Sequence, residues 1–177
     1  MPALVAGLAL GVGDRTSWLA AIKADQGRST LAILLAAALA FGLGNAAAAQ
    51  AGALMPRMTP NAANLLLAMA LGFAGVGALF GGKRPDSFAR WPAFLGLFVL
   101  GFGEGMQFVT FALASKASMP VFAAVGATIG TLAAIAPAAV MGEAAWAKLP
   151  IRPVRIATGA ILLAVAVIAA AGALRLT

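Results

Sequence analysis

Residues 29–56 of the chain read STLAILLAAALAFGLGNAAAAQAGALMP, and none of them is charged. A helix rises about 1.5 Å per residue, so a stretch of this length can cross the roughly 30 Å hydrocarbon core of a bilayer. Three further stretches without charge are residues 58–82, 117–142 and 156–174. The sequence therefore predicts that the main helices lie in a membrane.

The composition excludes most other classes of protein. Hydrophobic residues make up 63% of the chain and charged residues 10%, whereas a soluble domain carries about 25% charged residues. The same apolarity excludes an intrinsically disordered chain. Because the sequence has no Cys and no His, thiolate sites, zinc clusters and Ser–His triads are excluded. A bound metal would need mainly oxygen ligands, which suit hard divalent cations.

Two more segments are apolar apart from isolated charges. Residues 2–22 contain Asp14 and Arg15, and residues 91–115 contain Glu104. We therefore expect an all-α polytopic membrane protein, with residues 1–177 forming a single membrane domain. Its six transmembrane helices are predicted at about 2–22, 30–54, 60–81, 92–115, 119–142 and 154–175. The first segment lacks a basic start and is interrupted by charge, which argues against a cleaved signal peptide.

The net charge of +7 is distributed unevenly along the chain. Eight basic residues fall in three loops, 23–28, 83–90 and 148–155, and three fall on the opposite side, at Arg57, Lys116 and Arg175. The positive-inside rule places the three basic loops in the cytoplasm, as in a bacterial inner membrane. The basic excess fits this topology and contact with lipid headgroups, and no nucleic-acid partner is predicted.

The two halves of the chain share a pattern at an offset of 90 residues. The coinciding pairs are Pro2 and Pro92, Leu10 and Leu100, Gly11 and Gly101, Gly13 and Gly103, Gly52 and Gly142, and Pro60 and Pro150. The same offset pairs Asp14 with Glu104. Each half, 1–82 and 91–177, holds three predicted spans, and an odd number inverts the second half. The sequence thus predicts a 3+3 inverted repeat, which is typical of transporters, or a duplication kept for packing alone.

Asp14 and Glu104 each lie near the middle of a predicted span. A carboxylate at the centre of a bilayer costs about 2.5–3.5 kcal/mol on insertion scales, and such groups commonly mark a transport pathway. On a helix, Asp14 shares a face with Ser17, and Glu104 shares the equivalent face with Gln107. If the two faces meet at the repeat axis, they form an oxygen-lined site to which Thr16, Ser17 and Gln107 add neutral ligands.

Other interpretations of these polar residues stay open. Arg15 could form an ion pair with Asp14 or Glu104 that only locks helices together. Pro137 in the fifth span either lines the site or kinks the helix. Glu143, at the end of that span, is expected to be solvated. The remaining polar side chains in the spans serve as contacts between helices, and they are Asn45, Gln50, Thr128 and Thr131.

These motifs resemble the Gdt-type calcium/manganese–proton exchangers, whose halves each carry Glu, a hydrophobic residue, Gly, Asp, Lys or Arg, and Thr or Ser. Residues 11–16, GVGDRT, match this motif except that glycine replaces the Glu. Residues 101–106, GFGEGM, keep the central glycine and an acid. The flanking segments that resemble the family's second half are 110–114 (TFALA), 126–130 (GATIG), 137–143 (PAAVMGE) and 148–150 (KLP).

The resemblance implies six spans in two inverted halves and exchange of calcium or manganese for protons, with no permanently bound cofactor. The family's site is a cluster of carboxylates, of which this chain retains Asp14 and Glu104. We therefore expect an antiporter in which these two residues are the metal ligands and alternately hold a cation and protons. The alternative is a non-transporting scaffold or subunit with the same fold, which the glycines at 11 and 101 favour. An enzyme is not expected, because no nucleophile–base pair is apparent.

Overall fold

The computed structural model describes residues 1–55, 58–80, 82, 84–102 and 105–174. These residues form an all-α fold, and a short 3-10 turn at Asp86–Phe88 precedes α5. The helices are α1 (Pro2–Gly11), α2 (Arg15–Asp25), α3 (Thr30–Ala53), α4 (Pro60–Phe80), α5 (Ala93–Gly101), α6 (Gly105–Ala114), α7 (Val121–Trp146) and α8 (Ile151–Ala173). Glu104 lies outside the described residues, as do Gly103 and the basic residues Arg57, Lys83 and Arg175.

Four described helices, α3, α4, α7 and α8, are long and apolar enough to cross a membrane. Their bounds agree with four of the predicted spans. Helices α5 and α6 meet at 63° and give a fifth candidate span if they are counted together. Helix α1 has ten residues, too few to cross alone, and α2 carries three charged residues. The chain is therefore an integral, multi-pass membrane protein, and the six-span arrangement stays a prediction.

The structure corrects the first predicted span, which is not one continuous helix. Helix α1 ends at Gly11, Val12 is extended, and Gly13 has a positive φ of 73°. Asp14 then caps the N-terminus of α2. In the second half, α5 ends at Gly101 and α6 begins at Gly105, so the predicted helix 92–115 is also divided. Asp14 is thus a helix cap and does not lie on the middle of a helix face.

The helices of the two halves pack on each other in a reciprocal way. Helices α1 and α2 pack against α7, and α5 and α6 pack against α3. Helix α3 also contacts α7, and α4 contacts α8. Helix ends coincide at the offset of 90, since α1 ends at Gly11 and α5 at Gly101, while α2 begins at Arg15 and α6 at Gly105. This exchange of partners is what a twofold arrangement of the halves 1–82 and 91–177 would produce.

Glycines allow the helices to approach closely, while the outer surface stays apolar. A Cβ atom on Gly7 of α1 would lie 2.6 Å from the Ala127 carbonyl of α7, and one on Gly159 of α8 would lie 2.9 Å from the Gly75 carbonyl of α4. Such contacts between small residues commonly hold helices together in lipid. The outward face of α3 exposes Leu31, Leu35, Leu39 and Leu43 by more than half. A hydrocarbon environment suits that face.

The predicted cytoplasmic loops meet at one end of the molecule. Lys23 and Gln26 both donate to the carbonyl of Ala89, the latter at 3.0 Å. Arg84 pairs with Glu143 at 2.7 Å. Residues 23–28, the described part of 83–90 and the end of α7 therefore share one end, as the charge pattern requires. Glu143, which was expected to be solvated, forms an ion pair and is only partly exposed.

The irregular point within α7 is Gly142 and not Pro137. Gly142 adopts φ 71° and ψ 176°, outside the helical region, whereas the chain continues as a helix through Pro137. Pro137 is exposed and lies outside the cavity lining, so it does not line the site. The Asp25 carboxylate accepts a hydrogen bond from the Glu143 amide at 3.0 Å. This bond satisfies a backbone donor that the irregular turn would otherwise leave free.

Candidate functional site

The first break, residues 12–14 between α1 and α2, is held by hydrogen bonds from buried side chains. The Asp14 carboxylate accepts from the Thr16 hydroxyl at 3.0 Å and from the Thr16 amide at 3.5 Å. The Ser17 hydroxyl donates to the carbonyl of Gly11 at the end of α1. Both hydroxyl residues are fully buried. Polar groups at the two ends of the break are therefore partially satisfied by protein partners.

A cavity of about 1100 Å³ lies beside the first break and extends towards α5 and α6. Its polar lining consists of Asp14, Arg15, Gln107, Thr131 and Arg155. Phenylalanines form much of its apolar wall. The structure therefore brings two predicted site residues, Asp14 and Gln107, to one cavity. The hydroxyls of Thr16 and Ser17 point to partners within the break.

Arg155 is the functional residue that the sequence interpretation placed elsewhere. It was counted as a loop charge, but α8 begins at Ile151, so Arg155 lies in the second turn of that helix. Its side chain lines the cavity, donates to the Gly77 carbonyl at 3.2 Å and interacts electrostatically with the Asp14 carboxylate. One sequence feature could have indicated this placement. Arg155 lies five residues after Pro150, where a basic side chain can point back into the helix bundle.

Arg15 and Gln107 occupy different surroundings in the cavity wall. Arg15 is exposed and, within the part of the chain that the structure describes, forms no salt bridge with Asp14. The Gln107 amide lies against Gly44 of α3, so closely that a side chain at residue 44 would displace it. Glu104, the second predicted metal ligand, lies outside the described residues. Its neighbours Phe102 and Gly105 line the cavity.

A polar network joins α3, α6 and α7 next to the site. Asn45 of α3 is 1% exposed, donates to the Thr128 hydroxyl at 3.1 Å and accepts from the Thr110 hydroxyl at 3.3 Å. Both hydroxyls also donate to carbonyls one turn earlier in their own helices. Asn45 and Thr128 thus act as interhelical contacts, as the sequence indicated.

The two positions where the family motif has Glu are tightly packed here. A Cβ atom on Gly11 would lie 2.6 Å from the Ala134 methyl of α7. A Cβ atom on Gly101 would collide with the ring of Phe41, which is 3% exposed. Neither position has room for a carboxylate in this arrangement. Among the described residues, no three His, Cys, Asp or Glu side chains form a group that could hold a metal ion.

Comparison with known proteins identifies one family. Residues 89–176 match the model of the family described as divalent cation/proton antiporter GDT1. The searches of curated proteins and of solved structures return no match. The matched segment contains α5–α8, hence Gln107, Thr131 and Arg155 of the cavity. The resemblance predicted from the motifs is confirmed, and through residues 89–176 the chain belongs to the GDT1 family of divalent cation/proton antiporters.

Proposed function

We propose that the protein exchanges a divalent cation, manganese or calcium, for protons, and that Asp14 and Glu104 hold the cation in turn with protons. Membership of a transporter family supports the reaction class. The observation that carries the site is the position of Asp14, whose carboxylate lies at a helix break and faces a cavity of about 1100 Å³ in a membrane domain. Broken helices that place ion ligands at membrane depth are typical of transporters.

The neighbours of Asp14 suit reversible binding of a hard cation. Carboxylate and amide oxygens are ligands for calcium and manganese, and the Gln107 amide lines the same cavity. Thr16 contributes indirectly, because its hydroxyl fixes the Asp14 carboxylate at 3.0 Å. Ser17 likewise holds the Gly11 carbonyl. A small ligand set favours release, which a transported substrate needs and a resident metal does not.

Proton coupling follows from the cost of leaving charge in the cavity. A carboxylate that has released its cation in an apolar environment is costly unless it is paired or neutralised. Uptake of a proton neutralises it and lowers the affinity for a returning cation. The repeat, with Asp14 and Glu104 at equivalent places, provides one such group in each half.

We further propose that the end containing residues 23–28, 83–90 and 148–155 faces the cytoplasm of a bacterial cell. The contacts of Lys23 and Gln26 with Ala89 and of Arg84 with Glu143 support a shared face for the first two of these loops and the end of α7. Cations would then pass between this face and the outside through the cavity. Lipids are the expected surroundings of the apolar helix faces.

The test is proton flux driven by a manganese or calcium gradient in proteoliposomes. Asp14→Asn and Glu104→Gln should each lower the flux by at least about tenfold, because the cation loses a charged ligand. Asp86→Asn is the matched control, since Asp86 is exposed and pairs with Arg84 in a loop. Full flux with Asp14→Asn would reject the mechanism. No flux in the unmodified protein would favour a non-transporting scaffold.

A further inference from the structure

Arg155 has a defined path through the molecule that the exchange reaction does not explain. Its aliphatic stem passes Gly13 so closely that a Cβ atom there would lie 2.9 Å from the Arg155 Cδ. Its guanidinium lies over Gly82, where a side chain would occupy the same space. One N–H group donates to the Gly77 carbonyl at 3.2 Å. Glycines on two elements therefore leave room for this one side chain.

The path brings the positive charge of Arg155 beside the residue that precedes Asp14, since a Cβ atom on Gly82 would overlap the guanidinium carbon and lie 3.1 Å from the Gly13 carbonyl oxygen. The carboxylate and the guanidinium interact electrostatically, and both line the cavity. Arg15, the other arginine of the lining, is directed to an exposed position. A carboxylate in an apolar cavity requires a positive partner, and a guanidinium on a neighbouring helix supplies one without an ion from solution.

We propose that Arg155 is a tethered counter-cation of Asp14 which the transported cation must displace, so that it sets the selectivity for divalent over monovalent ions. This inference rests on the proposed function. A sodium or potassium ion carries the same charge as the guanidinium and gains little by replacing it. A divalent ion carries twice that charge and competes for the carboxylate more strongly. Meanwhile, the carbonyl of Gly77 retains the displaced side chain in the cavity wall.

The experiment measures manganese binding to the full chain in detergent, from the loss of the free-ion electron paramagnetic resonance signal, with and without sodium. Arg155→Gln should lower the Kd for manganese by about fivefold, the scale expected for removing one partly exposed competing charge. Sodium should also compete more effectively in this variant. The control is Arg152→Gln, because Arg152 is exposed on the same helix three residues earlier. It should leave both values unchanged.

Arg155→Lys provides a second variant if Arg155→Gln does not fold. It keeps the charge but loses the planar group that donates to the Gly77 carbonyl, so a smaller change in the same direction is expected. A purely structural role for Arg155 would lower the melting temperature without changing the sodium competition.

The outcomes separate this inference from the proposed function. If the unmodified protein binds manganese and Arg155→Gln binds it equally or more weakly, with unchanged sodium competition, Arg155 is no competitor and the exchange function stands. If only Arg155→Gln binds manganese, Arg155 closes the site in the unmodified protein, and the proposed function is wrong. If neither protein binds manganese or calcium, both proposals fail.

Discussion

The break between α1 and α2 and the break between α5 and α6 interrupt the two halves at equivalent residues but have different surroundings. At the first break, Asp14 caps α2, and Ile151 and Arg155 of α8 lie against Gly13. At the second, Gly105 lies against Ala74 of α4, whose Cα would be 2.7 Å from an added Cβ. The described part of the second break is therefore covered by backbone and methyl groups, whereas the first is covered by a cationic side chain.

Helix breaks at corresponding positions of the two halves can therefore carry unequal chemistry. Arg15 and Thr16 follow the first acid, and Gly105 and Met106 follow the second. An arginine at residue 105 would collide with α4, whereas Arg15 is exposed. Residue 105, the position equivalent to Arg15, is thus not basic in this chain, and α4 packs closely against it. We expect substitutions at the two breaks to have different effects.

The largest effect on stability is expected for Gly13→Ala at the first break. An alanine at φ 73° costs about 1–2 kcal/mol, and its methyl group would also overlap Ile151, adding about 1–3 kcal/mol. The measurement is thermal unfolding in detergent. The control is Gly27→Ala, because Gly27 has φ 79° but open space around it, so only the conformational cost applies. If both variants lose the same stability, Ile151 and Arg155 do not pack closely against the first break.

A smaller effect is expected for Gly105→Ala at the second break. The methyl group meets Ala74 at 2.7–2.9 Å, and overpacking of this kind costs about 1–3 kcal/mol. Arg15→Ala, at the equivalent residue of the first half, should change stability by less than about 0.5 kcal/mol because Arg15 is exposed. Adding Ala74→Gly to Gly105→Ala should restore little of the loss, because the closest contact is with the Ala74 Cα, which glycine keeps. If Arg15→Ala is the more damaging change, the contrast between the breaks is reversed.

The smallest effect is expected for Asn45→Ala, which removes the polar network beside the second break. Its two contacts to Thr110 and Thr128 are each worth about 0.6 kcal/mol in a membrane, and both threonines keep bonds to their own helices. The unfolding free energy should therefore fall by about 1 kcal/mol. Asn61→Ala, at an exposed position of α4, serves as the control. A loss above about 3 kcal/mol would mean that Asn45 has a further partner.

The long uncharged stretches predicted four of the helices, α3 and α4 to within one residue and α7 and α8 to within four. Helix α3 runs from Thr30 to Ala53, against a prediction of 30–54, because a span of this length has few alternatives in lipid. Ser29 caps it by accepting a hydrogen bond from the Ala32 amide at 3.2 Å. A serine just before an apolar stretch is a helix-start signal that can be recognised in the sequence. The hydrophobic pattern and the cap point to the same boundary.

The breaks and Arg155 were not predicted, for related physical reasons. Apolarity continues from residue 2 to 11 and resumes after Asp14, so hydropathy alone favours one helix. Yet Gly13 and Asp14 together form the start signal of a new helix, a flexible residue followed by an N-cap. The charge pattern assigns Arg155 to the loop, because basic residues near the end of a span usually indicate topology. A long side chain that returns along a groove of glycines is a tertiary feature.

The exchange of packing partners between the halves has a mechanical consequence. Because α7 contacts α1 and α2 and its Glu143 amide is bound by Asp25, these three helices would move as one body. Helices α3, α5 and α6 form the corresponding group. Any rocking that opens the cavity to either side would thus slide one mixed group past the other at the α3–α7 contact. A motion that opened the cavity would therefore not separate the two consecutive sequence halves, and a cross-link between α1 and α7 should leave transport intact.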